Sequence, residues 1–130
     1  MRAETVVNTL LTGSTGLAAL VGARIYLDTR PEADLLPAVV YNLISDRQDN
    51  SYKGEREVCT ARIQVNCFSR LAEEATTVRE QVRLACHLAV GVIGGIQVIS
   101  CIQDNSGGDS YDQMVDIYTK PMDFIIHYLR

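Results

Sequence analysis

The sequence lacks an uninterrupted apolar run of about 18 to 20 residues, the length that a membrane-spanning helix needs. Its start, "MRAETVVNTLL", carries Glu4 and Asn8 where a signal peptide needs an apolar stretch. We therefore expect no contact with a membrane and a protein that stays in the cytoplasm where it is made.

An excess of positive charge is also missing. The chain has 12 Lys and Arg residues against 16 Asp and Glu residues, which gives a formal net charge of -4 at pH 7. Proteins that bind nucleic acid tightly neutralise its phosphates with a broad basic surface. The charge balance therefore argues against a nucleic-acid-binding protein of that kind.

Cysteine pairs with the spacing of metal or redox sites are absent. The four cysteines lie inside apolar segments, without CxxC spacing, at Cys59, Cys67, Cys86 and Cys101. A chain of 130 residues can bury a sufficient core without disulfides. We expect reduced, buried thiols.

Motifs for catalysis, cofactors and metals are incomplete. The glycine-containing stretch 12–16 lacks the lysine of a phosphate loop and follows a helical pattern instead of a strand. Cys86 and His87 are adjacent on a predicted helix, so their side chains diverge by about 100°. The cluster 104–112 misses the calcium-loop spacing, and its Asp, Asn, Ser and Gly residues suit a turn. We expect no catalytic residue, cofactor or metal.

Residues 58–68 have the clearest strand pattern in the chain. Apolar side chains occupy every second position, at Cys59, Ala61, Ile63, Val65 and Cys67. The alternate positions are polar but not simply charged, at Thr60, Arg62, Gln64 and Asn66. Because successive side chains of a strand point to opposite faces, one face is predicted to join a core and the other to remain polar.

The remaining elements follow from apolar spacing and turn residues. We predict a first helix in two pieces, broken at 12–16 and ended by Gly22. Ser69 is predicted to cap a long helix that Gly94 and Gly95 end. Strands are predicted at 24–27, 38–45, 58–68 and 96–103, with a polar loop at 46–57, a turn-forming link at 104–112 and a final strand, whole or divided at Pro121, after it.

This order predicts an α+β fold, because the strands come in runs and do not alternate strictly with helices. We expect a single domain over residues 1–130, with a mainly antiparallel sheet and the N-terminal and central helices packed on one of its faces. The second face of the sheet is then available either to solvent or to another protein.

The layout resembles the tail-completion, or tail-terminator, proteins of long-tailed bacteriophages and related gene-transfer particles. Three stretches carry the resemblance: "LAALVGARIYLDTRPEADLLPAVVYNLIS" (17–45), "ARIQVNCFSRLAEEATTVREQV" (61–82) and "MDFIIHYL" (122–129). It rests on the pattern and order of elements and covers nearly the whole chain. The "TGSTG" break in the first helix and the early end after the last strand depart from the family pattern.

The resemblance implies a structural protein without an active site. Its expected partners are further copies of itself in a ring, commonly of six members, the major tail tube protein and the head connector protein. DNA would only pass through the central channel. Assembly would take place in the host cytoplasm, and the final location would be the head–tail joint of the virion.

Interaction residues are expected in the polar loop and on the polar strand face. The loop positions are Arg47, Asp49, Tyr52, Lys53, Glu55 and Arg56, and the strand positions are Arg62 and Gln64. Two alternatives remain open: another neck or minor tail assembly protein, and a small cytoplasmic ligand-binding domain or enzyme. A pocket that brings His87 or His127 together with a carboxylate would favour the second alternative.

Overall fold

The computed structural model describes residues 3–29, 36–49, 58–104, 109–114 and 116–129. Its elements, in chain order, are α1 (Ala3–Thr12), α2 (Thr15–Val21), β1 (Ile25–Leu27), β2 (Ala38–Asp49), β3 (Val58–Ser69), α3 (Ala72–Cys86), β4 (Gly91–Ile93), β5 (Ile96–Asp104), β6 (Ser110–Asp112) and β7 (Ile117–Leu129). None of the helices in these ranges is long and apolar enough to span a membrane.

Within the described ranges, seven strands form one sheet. The strand order is β1-β2-β3-β7-β5-β4, and β6 pairs with β7 outside this path. The β1–β2 pair is parallel, and the other pairs are antiparallel. The predicted α+β fold with a mainly antiparallel sheet is confirmed.

The helices cover one face of the sheet and share its core. Val6, Leu11, Val78 and Val82 of the helices are fully buried in one cluster with the apolar side chains of β3. Burying each such side chain contributes about 1.5–3 kcal/mol. The N-terminal helix is divided as predicted, because the Ser14 hydroxyl accepts the Leu17 N–H at 3.2 Å and starts α2.

The alternation predicted for residues 58–68 is confirmed. Cys59, Ala61, Ile63, Val65 and Cys67 are buried, and the residues between them are half-buried. β3 pairs along its length with β2 on one side and with β7 on the other. Its polar face therefore lies at the centre of the sheet and not at its margin.

β2 is longer than predicted. Residues 46–49, assigned above to the loop, continue the strand and pair with residues 58–61 of β3. The Tyr128 hydroxyl donates a hydrogen bond to Asp46 Oδ2 at 2.6 Å, which fixes this part of the strand to β7. The prediction was wrong because polar residues that are common in turns are also common in a strand with an exposed edge.

The central helix is shorter than predicted, and it begins and ends differently. Ser69 is the last residue of β3, and the N-cap of α3 is Leu71, without a side-chain cap. The Ser69 hydroxyl instead accepts the Leu71 N–H at 3.2 Å and donates to Glu74 at 2.6 Å. α3 ends at Cys86, and Gly94 and Gly95 do not end a helix but form the turn of a β4–β5 hairpin. Both glycines have positive φ, 60° and 80°, which such a turn requires.

The C-terminal segment is one continuous strand. β7 pairs with β5 over residues 123–128 and with β6 over residues 117–119. Pro121 lies between these two ladders, so its missing N–H interrupts neither of them. β6 falls inside the predicted link 104–112, of which residues 105–108 lie outside the described ranges.

Candidate interaction surface

The sheet face turned away from the helices, named here the outer face, is polar at its centre. The strand registers place on it Thr60, Arg62, Gln64 and Asn66 of β3, with Asp123, Ile125 and His127 of β7 beside them and Asn42, Ser45 and Arg47 of β2 on the other side. The β3 side chains among these are half-buried. The side chains of β2 and β7 flank them on both sides.

Arg62 links three neighbouring strands across this face. Its Nη1 lies 2.8 Å from Asp123 Oδ2 of β7, and its Nη2 lies 2.6 Å from Asp104 Oδ2 at the end of β5. The hydrogen bond to Asp104, followed by that to Asp123, raises the pKa of the Arg62 guanidinium above its usual value. Arg62 therefore stays charged and holds β3, β7 and β5 in register.

Asp123 has an unused hydrogen-bond acceptor. Its residue is only 8% exposed, and its Oδ1 atom is buried with no hydrogen-bond partner among the described residues. A buried acceptor without a partner is uncommon and costs free energy. With one positive and two negative charges, the cluster of Arg62, Asp104 and Asp123 has an excess of negative charge.

Other polar contacts cross the strands on both sides of Arg62. Thr60 Oγ1 lies 3.0 Å from His127 Nδ1 on β7. The Asn66 side-chain amide donates to Asn42 Oδ1 on β2 at 3.5 Å. These cross-strand contacts fix side chains that would otherwise be mobile, so the outer face presents a defined polar pattern.

A shallow depression of about 420 Å³ lies between β2 and β7 on this face. Its lining includes Ser45, Arg47, Thr60, Arg62 and Ile125. Arg47 is exposed, and among the seven cations in the described ranges it is the one without a hydrogen-bond or ion-pair partner. The depression therefore combines a free cation, hydroxyl groups and one apolar side chain.

The structure brings together some of the predicted interaction residues. Arg47 and Arg62 line the same depression, and Gln64 lies on the same face. Asp49 is the last residue of β2 and not part of a loop. Tyr52, Lys53, Glu55 and Arg56 lie outside the described residues.

Two interacting residues were missed by the sequence reasoning. Asp104 was assigned to a turn, and Asp123 was not singled out, although both bind Arg62. Both lie far from Arg62 along the chain, so no local pattern connects them. A strand register that placed Asp123 opposite Gln64 would have indicated the pairing.

The cysteines have the chemistry of buried structural residues. All four are free and buried. Burial raises the pKa of the Cys67 thiol to about 12 and that of the Cys101 thiol to about 12, and it raises the pKa of Cys86 as well. The thiols of Cys67, Cys86 and Cys101 thus stay protonated at neutral pH and are poor nucleophiles. The predicted burial of the four thiols is confirmed.

The two histidines have neutral hydrogen-bond partners. His127 contacts Thr60, and His87 Nδ1 accepts the Gln103 N–H at 3.1 Å. Among the described residues, neither histidine is bonded to a carboxylate, and no group of three or more His, Cys, Asp or Glu side chains is arranged to hold a metal.

The chain matches a family model described as "Tail completion protein gp17" over residues 5–127. It belongs to this family. The family resemblance stated from the sequence is thereby confirmed, and the chain is a structural protein of a phage-type tail.

A solved structure supports the fold of this tail completion protein. A chain of the structure described as "Virion of native gene transfer agent (GTA) particle" superposes with a TM-score of 0.76 at 15% sequence identity. The match covers 99% of this chain and 96% of that chain. A search of curated proteins finds no match.

Proposed function

We propose that this tail completion protein caps the head-proximal end of the tail tube and forms the joint with the head connector. It acts as a ring, commonly of six copies, around a channel for DNA. The observation that carries the proposal is the family match over residues 5–127. The shared fold with a chain of a gene transfer agent virion supports it.

A ring sets a physical requirement that the sheet can meet. Each copy must present two different surfaces, because a head-to-tail contact closes into a ring only when its rotation does. Surfaces that combine apolar side chains with hydrogen-bonding groups allow this without making the free monomer insoluble. The outer face and the sheet margins have this mixed character.

The outer face and the following segment are proposed to contact the tube protein or the connector. Arg47, Arg62 and Gln64 supply hydrogen-bond donors from the strands. Asp49, Tyr52, Lys53, Glu55 and Arg56 are proposed as further contact residues.

The charge balance suits a channel through which DNA passes without being held. With a net charge of -4, the protein offers no general attraction for phosphates. We place assembly in the host cytoplasm and the mature protein at the head–tail joint of the virion.

Tail tubes assembled in the presence of the protein test this function. We expect electron micrographs to show a ring on one end of each tube and tube growth to stop at that end. Purified head connectors should then bind capped tubes and not bare tubes. Rings on the distal end, or tubes that continue to grow at both ends with the protein bound along their length, would contradict the proposal.

A further inference from the structure

One margin of the sheet carries an exposed apolar surface, named here the β4 patch. It consists of Leu88, Val90, Val92 and Ile99, which are between 47% and 71% exposed. Val92 pairs with Gln97 and Gly91 with Val98, and the same register continued by one residue places Val90 beside Ile99. The Leu88 N–H donates a hydrogen bond to the Cys101 carbonyl at 2.7 Å, so the pairing with β5 extends back to residue 88. The four side chains therefore lie along this pair of neighbouring segments.

The β4 patch lacks the charged side chains that usually protect the edge of a sheet. Edge strands of natural proteins often carry charged residues that prevent association with other chains. Residues 84–103 contain no Asp, Glu, Lys or Arg. An apolar margin without charge is typical of a surface that another chain covers.

The opposite margin offers a second apolar surface, named here the β2 patch. Leu43 and Ile44 are 37% and 50% exposed. β1 pairs only with residues 39–41 of β2. In the described ranges, no strand pairs with the edge of β2 that points away from β3 beyond Tyr41. The backbone groups on that side are therefore available to another strand.

Two bulges contribute to these surfaces in the same way. The register of β2 with β3 shifts between Leu43 and Ser45, which makes Ile44 the extra residue. The register of β5 with β7 shifts between Val98 and Ser100, which makes Ile99 the extra residue. A bulge changes the direction of its side chain, and here each directs an isoleucine to a half-exposed position.

The two patches are suitably placed for a head-to-tail contact. Carried through the strand registers, Val90 and Ile99 lie level with residues 47 and 48 of β2, a few residues beyond Ile44 along the strands. They are separated by four strand spacings, about 19 Å across the sheet. β2 and β4 run in the same direction, because the four steps between them are all antiparallel.

We propose that the β4 patch of one copy packs against the β2 patch of the next copy. β4 would lie along the open side of β2, above β1 and parallel to it. A rotation about an axis perpendicular to the line that joins the two patches brings them together without axial displacement, which ring closure requires. The inference rests on the proposed ring and names the surfaces that form it.

A second copy of the chain is the occupant that this geometry favours. Both patches are apolar and lie at edges of the sheet. In the described part of the sheet, β2 has unpaired backbone groups beyond Tyr41, and β4 of a second copy can pair with them. A two-fold pairing of β2 with itself centred on Asp46 would place two aspartates opposite each other, which is unfavourable. The contact between unlike margins avoids this repulsion.

Cross-linking between single-cysteine variants in rings on tail tubes tests the contact. Ile44→Cys and Val90→Cys would be mixed, assembled with tail tubes and treated with a short bis-maleimide. We expect a covalent dimer from the mixture and little product from either variant alone. The double variant should give a ladder of products up to the full ring. The native cysteines should not react, because all four are buried.

Met114 provides the matched control, because it is apolar and 95% exposed but belongs to neither patch. Ile44→Cys mixed with Met114→Cys should give no dimer. Val90→Asp should abolish rings, whereas Met114→Asp should leave them intact. Rings without the 44–90 product, or intact rings of Val90→Asp, would overturn the contact and leave the capping function standing. If the wild-type protein forms no ring on tubes, both the contact and the proposed function are wrong.

Discussion

Replacing residues 50–57 with a Gly-Ser link of the same length should leave a folded monomer that no longer joins heads to tails. The β2–β3 ladder ends at the Asp49–Val58 pair, so the replacement keeps every described strand pair. It removes Tyr52, Lys53, Glu55 and Arg56, which we propose as contact residues. We expect at least a tenfold loss of joined particles in electron micrographs and an unchanged circular dichroism spectrum.

The second link of the chain supplies a control for this variant. Residues 105–108 lie between β5 and β6 and also connect described strands. Because their sequence, Asn-Ser-Gly-Gly, is already close to a Gly-Ser link, the control inserts four further Gly and Ser residues there. This insertion should preserve joining, because none of these residues is proposed as a contact residue. Normal joining by the 50–57 variant would remove that segment from the interaction surface. Loss of the folded spectrum would show that the segment stabilises the monomer instead.

Arg62→Met should lower the stability of the monomer and disorder the outer face. The substitution leaves Asp123 buried without its cation, and Asp104 loses the same partner. Because the Arg62 side chain is 32% exposed, we expect a smaller loss of stability than for a fully buried ion pair. Urea unfolding followed by circular dichroism measures it.

A double variant separates charge from packing at this site. Adding Asp123→Leu to Arg62→Met removes the unpaired buried carboxylate and should recover most of the lost stability. Arg83→Met is the matched control, because Arg83 pairs with Glu80 on the exposed surface of α3. That substitution should have little effect. Equal losses from Arg62→Met and Arg83→Met would contradict the structural role of Arg62.

The two-sided pattern of β3 was predictable because it depends on local alternation alone. Its five apolar positions are buried in the structure, and its polar positions lie on the outer face. The division of the N-terminal helix was predictable for a similar reason, since Ser14 and its neighbouring glycines act locally. Local chemistry determined both features.

The features that were predicted wrongly depend on distant partners. Residues 46–49 form a strand because β3 and Tyr128 hold them, although their polar side chains suit a loop. Residues 91–93 continue the apolar spacing of α3, but they pair with β5 across the Gly94–Gly95 turn. A two-residue glycine pair between apolar segments is a hairpin signal, and it was available in the sequence.

The outer face could be predicted only in part. Its polar residues on β3 followed from alternation, whereas the ion pairs of Arg62 depend on residues 42 and 61 positions away. The β4 and β2 patches depend on strand order and on two bulges, which residue spacing does not reveal. Surfaces formed by the assembled sheet require the sheet topology.

Cryo-electron microscopy of assembled particles tests the central claim most directly. The account predicts a ring of this chain between the tail tube and the head connector, with the β4 patch of each copy against the β2 patch of its neighbour. A chain located at the distal tail end, or absent from the particle, would contradict it.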